Sequence, residues 1–288
     1  MLLRSRIPEL MDDPRLDREL HVEALRGLEV LNKVSGSAQI LWSELNKFSL
    51  SKQIEPILEV DGEVNGGTIS DTTPEGPASL EGQNDELPAS RQSIAKQTIA
   101  KRSSRSKAAG EKISVLDVAT GSGDILLELA KLSKRNGRQI EFTGADISPT
   151  AIAHAEQKAQ KAGTPAQFIQ RDVIKDGIPK GFQVVMTSLF THHLDPEEVI
   201  LLFERMKDSD AQMILINDLV RSELSYSLVW LATRLFTRSP VVHFDGPVSV
   251  RASYTPEEMR NMALVAGLEN CSVKLHPPCR QLLVWRRS

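Results

Sequence analysis

The sequence predicts an α/β protein: a mostly parallel sheet with helices on both faces, preceded by a helical N-terminal cap. Three observations predict it. Val115-Leu-Asp-Val-Ala-Thr-Gly-Ser-Gly-Asp124 reads as a buried strand, a glycine turn and a helix start. After residue 113, apolar strand-like runs alternate with helical patterns, the order of a parallel sheet with crossover helices. Before residue 60, apolar residues recur at helical spacing.

The elements follow in chain order. Leu20, Val22, Leu25, Leu28 and Leu31, then Ile40, Leu41 and Leu45, give two amphipathic helices around Gly36, so residues 1–60 read as the cap. Residues 61–112 change composition sharply, to Gly, Ser, Thr, Pro, Glu and Gln with scarcely any large apolar side chain. Such a segment cannot bury enough surface to offset its ordering entropy, and it reads as a low-complexity, disordered insertion with a basic later part. Residues 113–288 form the α/β domain. Its strands are expected at Ile113–Val118, Glu141–Asp146, Gln167–Gln170, Gly181–Ser188 and Gln212–Asn217, with a closing hairpin over Glu269–His276 and Arg280–Arg286. Helices are expected after the glycine turn, capped by Ser122 or Asp124, from Ser148 or Pro149 to Ala162, from Pro196 to about Lys207, and over Glu223–Phe236. A loop containing Val241–Gly246 and Pro247 comes next. Thr255-Pro-Glu-Glu258 then starts a further helix with a capping box.

The turn's chemistry narrows its ligand. A dinucleotide site wants a third glycine and a helix N-terminus facing a diphosphate. Here Leu126 stands at that third position, and Asp117 precedes the turn with a carboxylate that repels phosphate. A cationic, phosphate-free ligand fits better. A second acid, Asp146, ends the next strand about 20 residues beyond the turn, where a carboxylate accepts ribose hydroxyls. A third, Asp172, follows the third strand.

The segment Asp117-Val-Ala-Thr-Gly-Ser-Gly-Asp124, with the acids downstream, resembles motif I of the class I S-adenosylmethionine-dependent methyltransferases. It is most similar to small-molecule enzymes of the ubiquinone/menaquinone-biosynthesis type. Asp218-Leu-Val-Arg-Ser222, Asp245-Gly-Pro-Val-Ser-Val250 and the Thr-Pro-Glu-Glu helix resemble methyltransferases that accompany type III polyketide synthases and act on phenolic lipids. The resemblance implies a Rossmann-like, seven-stranded sheet in the order 3-2-1-4-5-7-6 and S-adenosyl-L-methionine as cofactor. It assigns Asp117, Ala119, Gly121, Gly123, Asp146, Ile147, Asp172, Val173 and Ser188 to cofactor binding, with Asp172 at the adenine amino group.

The fourth strand exits into Ser188-Leu-Phe-Thr-His-His-Leu-Asp195. It lacks the Asn/Asp-Pro-Pro-aromatic motif of enzymes that methylate nucleic-acid amino groups. A phenol or acidic carbon must lose a proton, and a neutral histidine is the natural base near neutral pH. His193 is the favoured candidate and His192 the other; both could instead pack the turn. Tyr226, Trp230, His243 and Arg251 are candidates for the acceptor wall. Thr187 and Ser188 stand where catechol-type enzymes place a metal-binding Asp, and the paired histidines lack a third spaced ligand, so no metal is expected. Asn217-Asp218 keeps the metal alternative open.

The expected function is methyl transfer to a small hydrophobic acceptor, O-methylation of a phenol, quinol or polyketide-derived lipid, with C-methylation open. The alternative is a non-catalytic S-adenosylmethionine-binding regulatory or partner protein. A formal charge of −3 gives no reason to expect a nucleic-acid partner. No window approaches about 18 apolar residues, so no membrane span is expected. Two cysteines without CxxC spacing fit a reduced, cytoplasmic protein. The oligomeric state has no signature in the sequence.

Overall fold

The computed structural model describes residues 2–13, 15–60 and 112–288; the insertion read at 61–112 lies outside the described residues, Lys112 apart. The chain divides into two units, Met1–Ser49 with Lys112–Ser288, and Leu50–Glu111. The second is described only to Val60.

Seven strands form one sheet: β1 (Ile113–Val118), β2 (Ile140–Asp146), β3 (Gln167–Gln170), β4 (Val184–Ser188), β5 (Met213–Leu219), β6 (Ser272–His276) and β7 (Arg280–Arg286). Their order is β3-β2-β1-β4-β5-β7-β6, as the resemblance implies. β1 to β5 pair in parallel, and β7 runs antiparallel between β5 and β6. β5 is buried along its whole length, which is why its apolar residues run unbroken instead of alternating. Nine helices accompany the strands among the described residues: α1 (Arg18–Val34), α2 (Ser37–Val60), α3 (Asp124–Arg135), α4 (Pro149–Ala162), α5 (Val173–Asp176), α6 (Pro196–Lys207), α7 (Glu223–Phe236), α8 (Pro240–Ala252) and α9 (Pro256–Val265).

Side-chain alternation along the strands sends alternate residues to two cores. Leu116, Val118, Val185, Ile214 and Leu283 pack with Leu202, Phe203 and Met206 of α6 and Met259 and Met262 of α9. Val115, Val184, Met186, Leu215 and Leu282 pack with Leu126 and Leu129 of α3 and with Leu41, Leu45 and Phe48 of α2. α2 thus completes one face of the sheet, while α1 packs against α8 through Ala24, Val241 and Val242.

Two local expectations are corrected. Residues 241–247 are helical, within α8, where a loop was expected. Ser239 accepts a hydrogen bond from the Val242 amide and Pro240 occupies the first turn, a good helix start. Pro247 forfeits one main-chain bond inside the helix. Eight buried residues along α8 outweigh that loss. Gly246 lets α8 approach α7: a Cβ there would lie 2.6 Å from Thr233 Cγ2. Nor does Ser122 or Asp124 cap α3. The N-cap is Gly123, in a left-handed conformation with no side-chain cap, and Asp124 sits in the first turn, paired with Lys158.

Residues before α1 form a strap. Leu2 O accepts from Arg221 Nε at 2.9 Å, Ser5 N donates to Arg251 O at 3.1 Å, and Arg4 Nε donates to Ala252 O at 2.8 Å. The Leu10 and Met11 amides donate to the two oxygens of Asp245 at 2.7 and 3.1 Å. Among the described residues, no helix is long and apolar enough to cross a membrane.

Candidate functional site

The glycine turn leaves β1 at the carboxyl edge of the sheet. Ala119 and Gly121 both have φ of 55°. The Thr120 amide donates to Ala145 O at 3.1 Å and the Gly121 amide to Asp146 Oδ2 at 2.8 Å, so the turn is stitched to β2. A Cβ on Gly121 would meet nothing within 4 Å, which leaves its backbone open to a ligand. Asp117 is buried. Thr120 Oγ1 donates to its Oδ2 at 2.7 Å, while its Oδ1 has no partner. Burial pushes its carboxyl up to about 7; the Thr120 bond opposes this and the nearby Asp146 charge adds to it.

Asp146 also receives the Ser148 amide at 2.9 Å. Ile147 beside it is 61% exposed, an apolar side chain at a strand exit. Asp172 caps α5 by accepting the Ile174 and Lys175 amides, each at 3.1 Å, and these bonds hold its carboxyl below the usual range. The next residue, Val173, is buried. Ser188 ends β4 and accepts from Asn217 Nδ2 at 2.8 Å. Three acids therefore stand at the ends of three adjacent strands, β1, β2 and β3. An unpartnered carboxylate oxygen beside bare backbone suits a ligand that brings a cation or a hydrogen-bond donor. The same acids repel a diphosphate.

Beyond β4, a 3₁₀ turn (Thr191–His193) presents the two histidines differently. His192 is buried, with Nδ1 2.7 Å from Asp218 Oδ1. Asp218 also accepts from Thr191 Oγ1 and from the His192 and Leu219 amides. Burial alone would raise its carboxyl, but His192 and these donors bring it down to about 2. With Asp218 at Nδ1, the His192 ring turns its Nε2 toward the strap. Glu9 of the strap lies 3.6 Å from that Nε2 and accepts from Ser249 Oγ at 2.5 Å. His193 is partly exposed, with Nδ1 3.5 Å from Asp12 Oδ2. Burial would lower its pKa, but Asp12, Glu9 and Asp218 raise it. Glu9, His192 and His193 each offer a ligand-type atom, all within 4.8 Å of one another. That third member, from the strap, is invisible to chain spacing.

These groups line one part of a cavity of about 350 Å³. Leu28 and Leu31 of α1, Leu189, Leu219, and Leu228 and Leu235 of α7 supply apolar wall. Asn32, Ser35 and Arg280 supply a second polar group. The four expected acceptor residues lie elsewhere. Arg251 sits 4.9 Å over the Tyr226 ring, and Arg234 sits 4.0 Å over that of Trp230, which is exposed. His243 Nε2 lies 3.1 Å from Thr237 O. None of the four is among the residues lining the cavity. On α7 the cavity face is formed by Leu228, Val229, Leu231, Ala232, Leu235 and Phe236.

A methyltransferase-domain family model matches residues 115–209. The chain is 26% identical over 167 residues to a demethylmenaquinone methyltransferase of Thermus thermophilus, covering 53% of this chain and 73% of that protein. It is 47% identical over 45 residues to the ubiquinone/menaquinone biosynthesis C-methyltransferase UbiE of Rickettsia felis, covering 16% of this chain and 18% of that one. Among solved structures, the plantazolicin methyltransferase BpumL, in complex with a pentazolic desmethylPZN analog and SAH, is 19% identical with a TM-score of 0.48; the match covers 69% of this chain and 85% of that one. The domain match over residues 115–209, the strand order and the carboxylate-flanked turn together show that this chain carries an S-adenosylmethionine-dependent methyltransferase domain.

Proposed function

We propose that the chain methylates an oxygen of a small hydrophobic phenol or quinol, a polyketide-derived phenolic lipid included. The observation that carries this reading is the apolar cavity with an aspartate-oriented histidine at one end. S-adenosylmethionine, when bound, supplies a methyl group already activated on a sulfonium. The chain's own task is to hold, orient and dehydrate the partners and to take one proton.

On the donor side, the main chain at Ala119, Gly121 and Gly123 cups the ligand and Asp117 Oδ1 meets a donor hydrogen or the positive end. Asp146 accepts the ribose hydroxyls. Ile147, Asp172 and Val173 bound the adenine, and Ser188 faces the donor from β4. On the acceptor side, the leucines of α1 and α7 exclude water. His192 Nε2 takes the hydroxyl proton while Asp218 balances the imidazolium charge. This orientation favours His192 over His193 as the base. His193, paired with Asp12, secures the strap.

A second reading, C-methylation of a quinol ring, is favoured by the names of the two relatives. It uses the same cavity and the same proton acceptor. The test is transfer of labelled methyl from S-adenosylmethionine into hydrophobic phenols and quinols, with the product's methylated atom identified. His192→Asn is expected to lose 10²–10⁴-fold in kcat, the usual weight of a general base, with donor affinity unchanged. Donor binding without transfer to any phenol or quinol would leave the non-catalytic alternative standing.

A further inference from the structure

The cavity's second polar group is built around a buried cation. Arg280 opens β7 opposite Leu219 of β5, and both line the cavity. It is 4% exposed. Its Nη2 donates to Asn32 Oδ1 at 3.2 Å and to Ser35 Oγ at 2.9 Å, so the end of α1 and the residue after it fix the head of the side chain. Nε and Nη1 have no acceptor. Three of the five guanidinium N–H groups are therefore unmet.

A carboxylate within its electrostatic reach does not answer this. Asp218, whose charge Arg280 feels, is already taken up by Thr191, His192 and the Leu219 amide. A guanidinium stays charged at neutral pH, and an apolar wall strengthens its attraction for an anion. Leu219, Leu228, Pro278 and Cys279 provide that wall. Buried cations are normally paired, so an unpaired one at a ligand cavity marks where the ligand carries negative charge.

We propose that Arg280 receives a carboxylate of the acceptor, making the acceptor a hydroxylated hydrophobic acid rather than a neutral phenol. This deepens the phenol-methylating reading and rests on it. The hydroxyl meets His192 at one polar group, the acid meets Arg280 at the other, and the apolar remainder lies against α1 and α7. The methyl donor also carries a carboxylate, so the test separates the two sources.

The test measures binding to the full chain saturated with S-adenosylhomocysteine, by calorimetry, of an alkyl-substituted hydroxybenzoate and of the alkylphenol lacking its carboxyl group. The acid is expected to bind at least about tenfold more tightly, the least that charge-assisted hydrogen bonds confer. Arg280→Met is expected to remove that difference and to leave the alkylphenol unchanged. Should Arg280→Met fail to fold, Ser35→Ala with Asn32→Leu frees the guanidinium head, and the preference for the acid is expected to shrink. Equal binding of acid and phenol to the wild type, or a preference that survives Arg280→Met, overturns the proposal. So does a tenfold loss of S-adenosylhomocysteine affinity in Arg280→Met without a loss for methylthioadenosine, which lacks the carboxylate; that assigns Arg280 to the donor. Phenol binding without a preference for the acid leaves the methyltransferase reading intact. If neither compound binds, both readings fall.

Discussion

Asp117 is buried, half-satisfied and pushed up to about 7, against an ordinary value of 3.8. Its folded pKa is raised, so the stability it contributes is complete below about 3.8 and is lost as pH rises through 7. At the usual conversion this is on the order of 4 kcal/mol. Asp117→Asn is therefore expected to raise the unfolding free energy of the ligand-free protein at pH 8, measured by denaturant titration, while abolishing donor binding. A cationic donor needs the ionised form. Its affinity in wild type is expected to fall by about tenfold per pH unit below 7 and to level off above, with proton release on binding near neutrality. Calorimetry in buffers of different ionisation enthalpy checks this; a flat profile would remove Asp117 from the donor site. At His192, the free Nε2 between Glu9 and His193 leads to a further expectation. Chelators leave activity unchanged, whereas added Zn²⁺ inhibits by tying the three together, and Glu9→Gln relieves that inhibition. At this scale the three acids were legible as strand ends, because each follows an apolar run, although Asp172 also serves as the cap of α5. Glu9 and Asp12 were not, since only the folded chain brings positions 9 and 12 beside 192 and 193.

Elements were legible where local chemistry and burial agree. Thr255 and Glu258 form the expected capping box, and Ser148 caps α4 with Pro149 behind it. α8 escaped because Gly246 and Pro247 argue locally for a loop while its packing argues for a helix. That packing is testable. In Gly246→Ala the added methyl would meet Thr233 Cγ2 at 2.6 Å and Val229 Cγ1 at 3.1 Å, forcing α7 and α8 apart. A stability loss of about 1–3 kcal/mol is expected, together with weaker acceptor binding, because Gly246 also lines the cavity. The strap offers a second test. Asp245→Ala strips the Leu10 and Met11 amides of their acceptors, so faster hydrogen exchange at both is expected, with a stability loss of about 1–3 kcal/mol.

For the whole molecule, the order β3-β2-β1-β4-β5-β7-β6 makes a carboxyl edge that carries both halves of the site. The proposed donor half comes from β1 to β4 and the turns after them, within the family match at 115–209. Most of the cavity's lining comes from outside that span, from positions 9–35 and 219–280. The two proposed halves therefore differ in what the chain shows of them. The glycine turn repeats a short local pattern, whereas the cavity assembles residues more than 200 positions apart and has no pattern along the chain. A ligand that binds only the folded form stabilises it, and S-adenosylhomocysteine at 100 times its Kd is expected to add about 2.7 kcal/mol. Adding a hydrophobic hydroxy acid is expected to raise the melting temperature further; no increment would mean the two halves do not bind together.

The strap and α1 reach the chemistry from the opening stretch of the chain, through Glu9, Asp12, Asn32 and Ser35. In the proposed site, part of the compound selectivity is thus carried by positions 9–35, apart from the cofactor turn, with 219–280 supplying the rest of the cavity wall. Exchanging residues 1–49 with those of a homologue should transplant taste for a new compound while the cofactor's grip stays put.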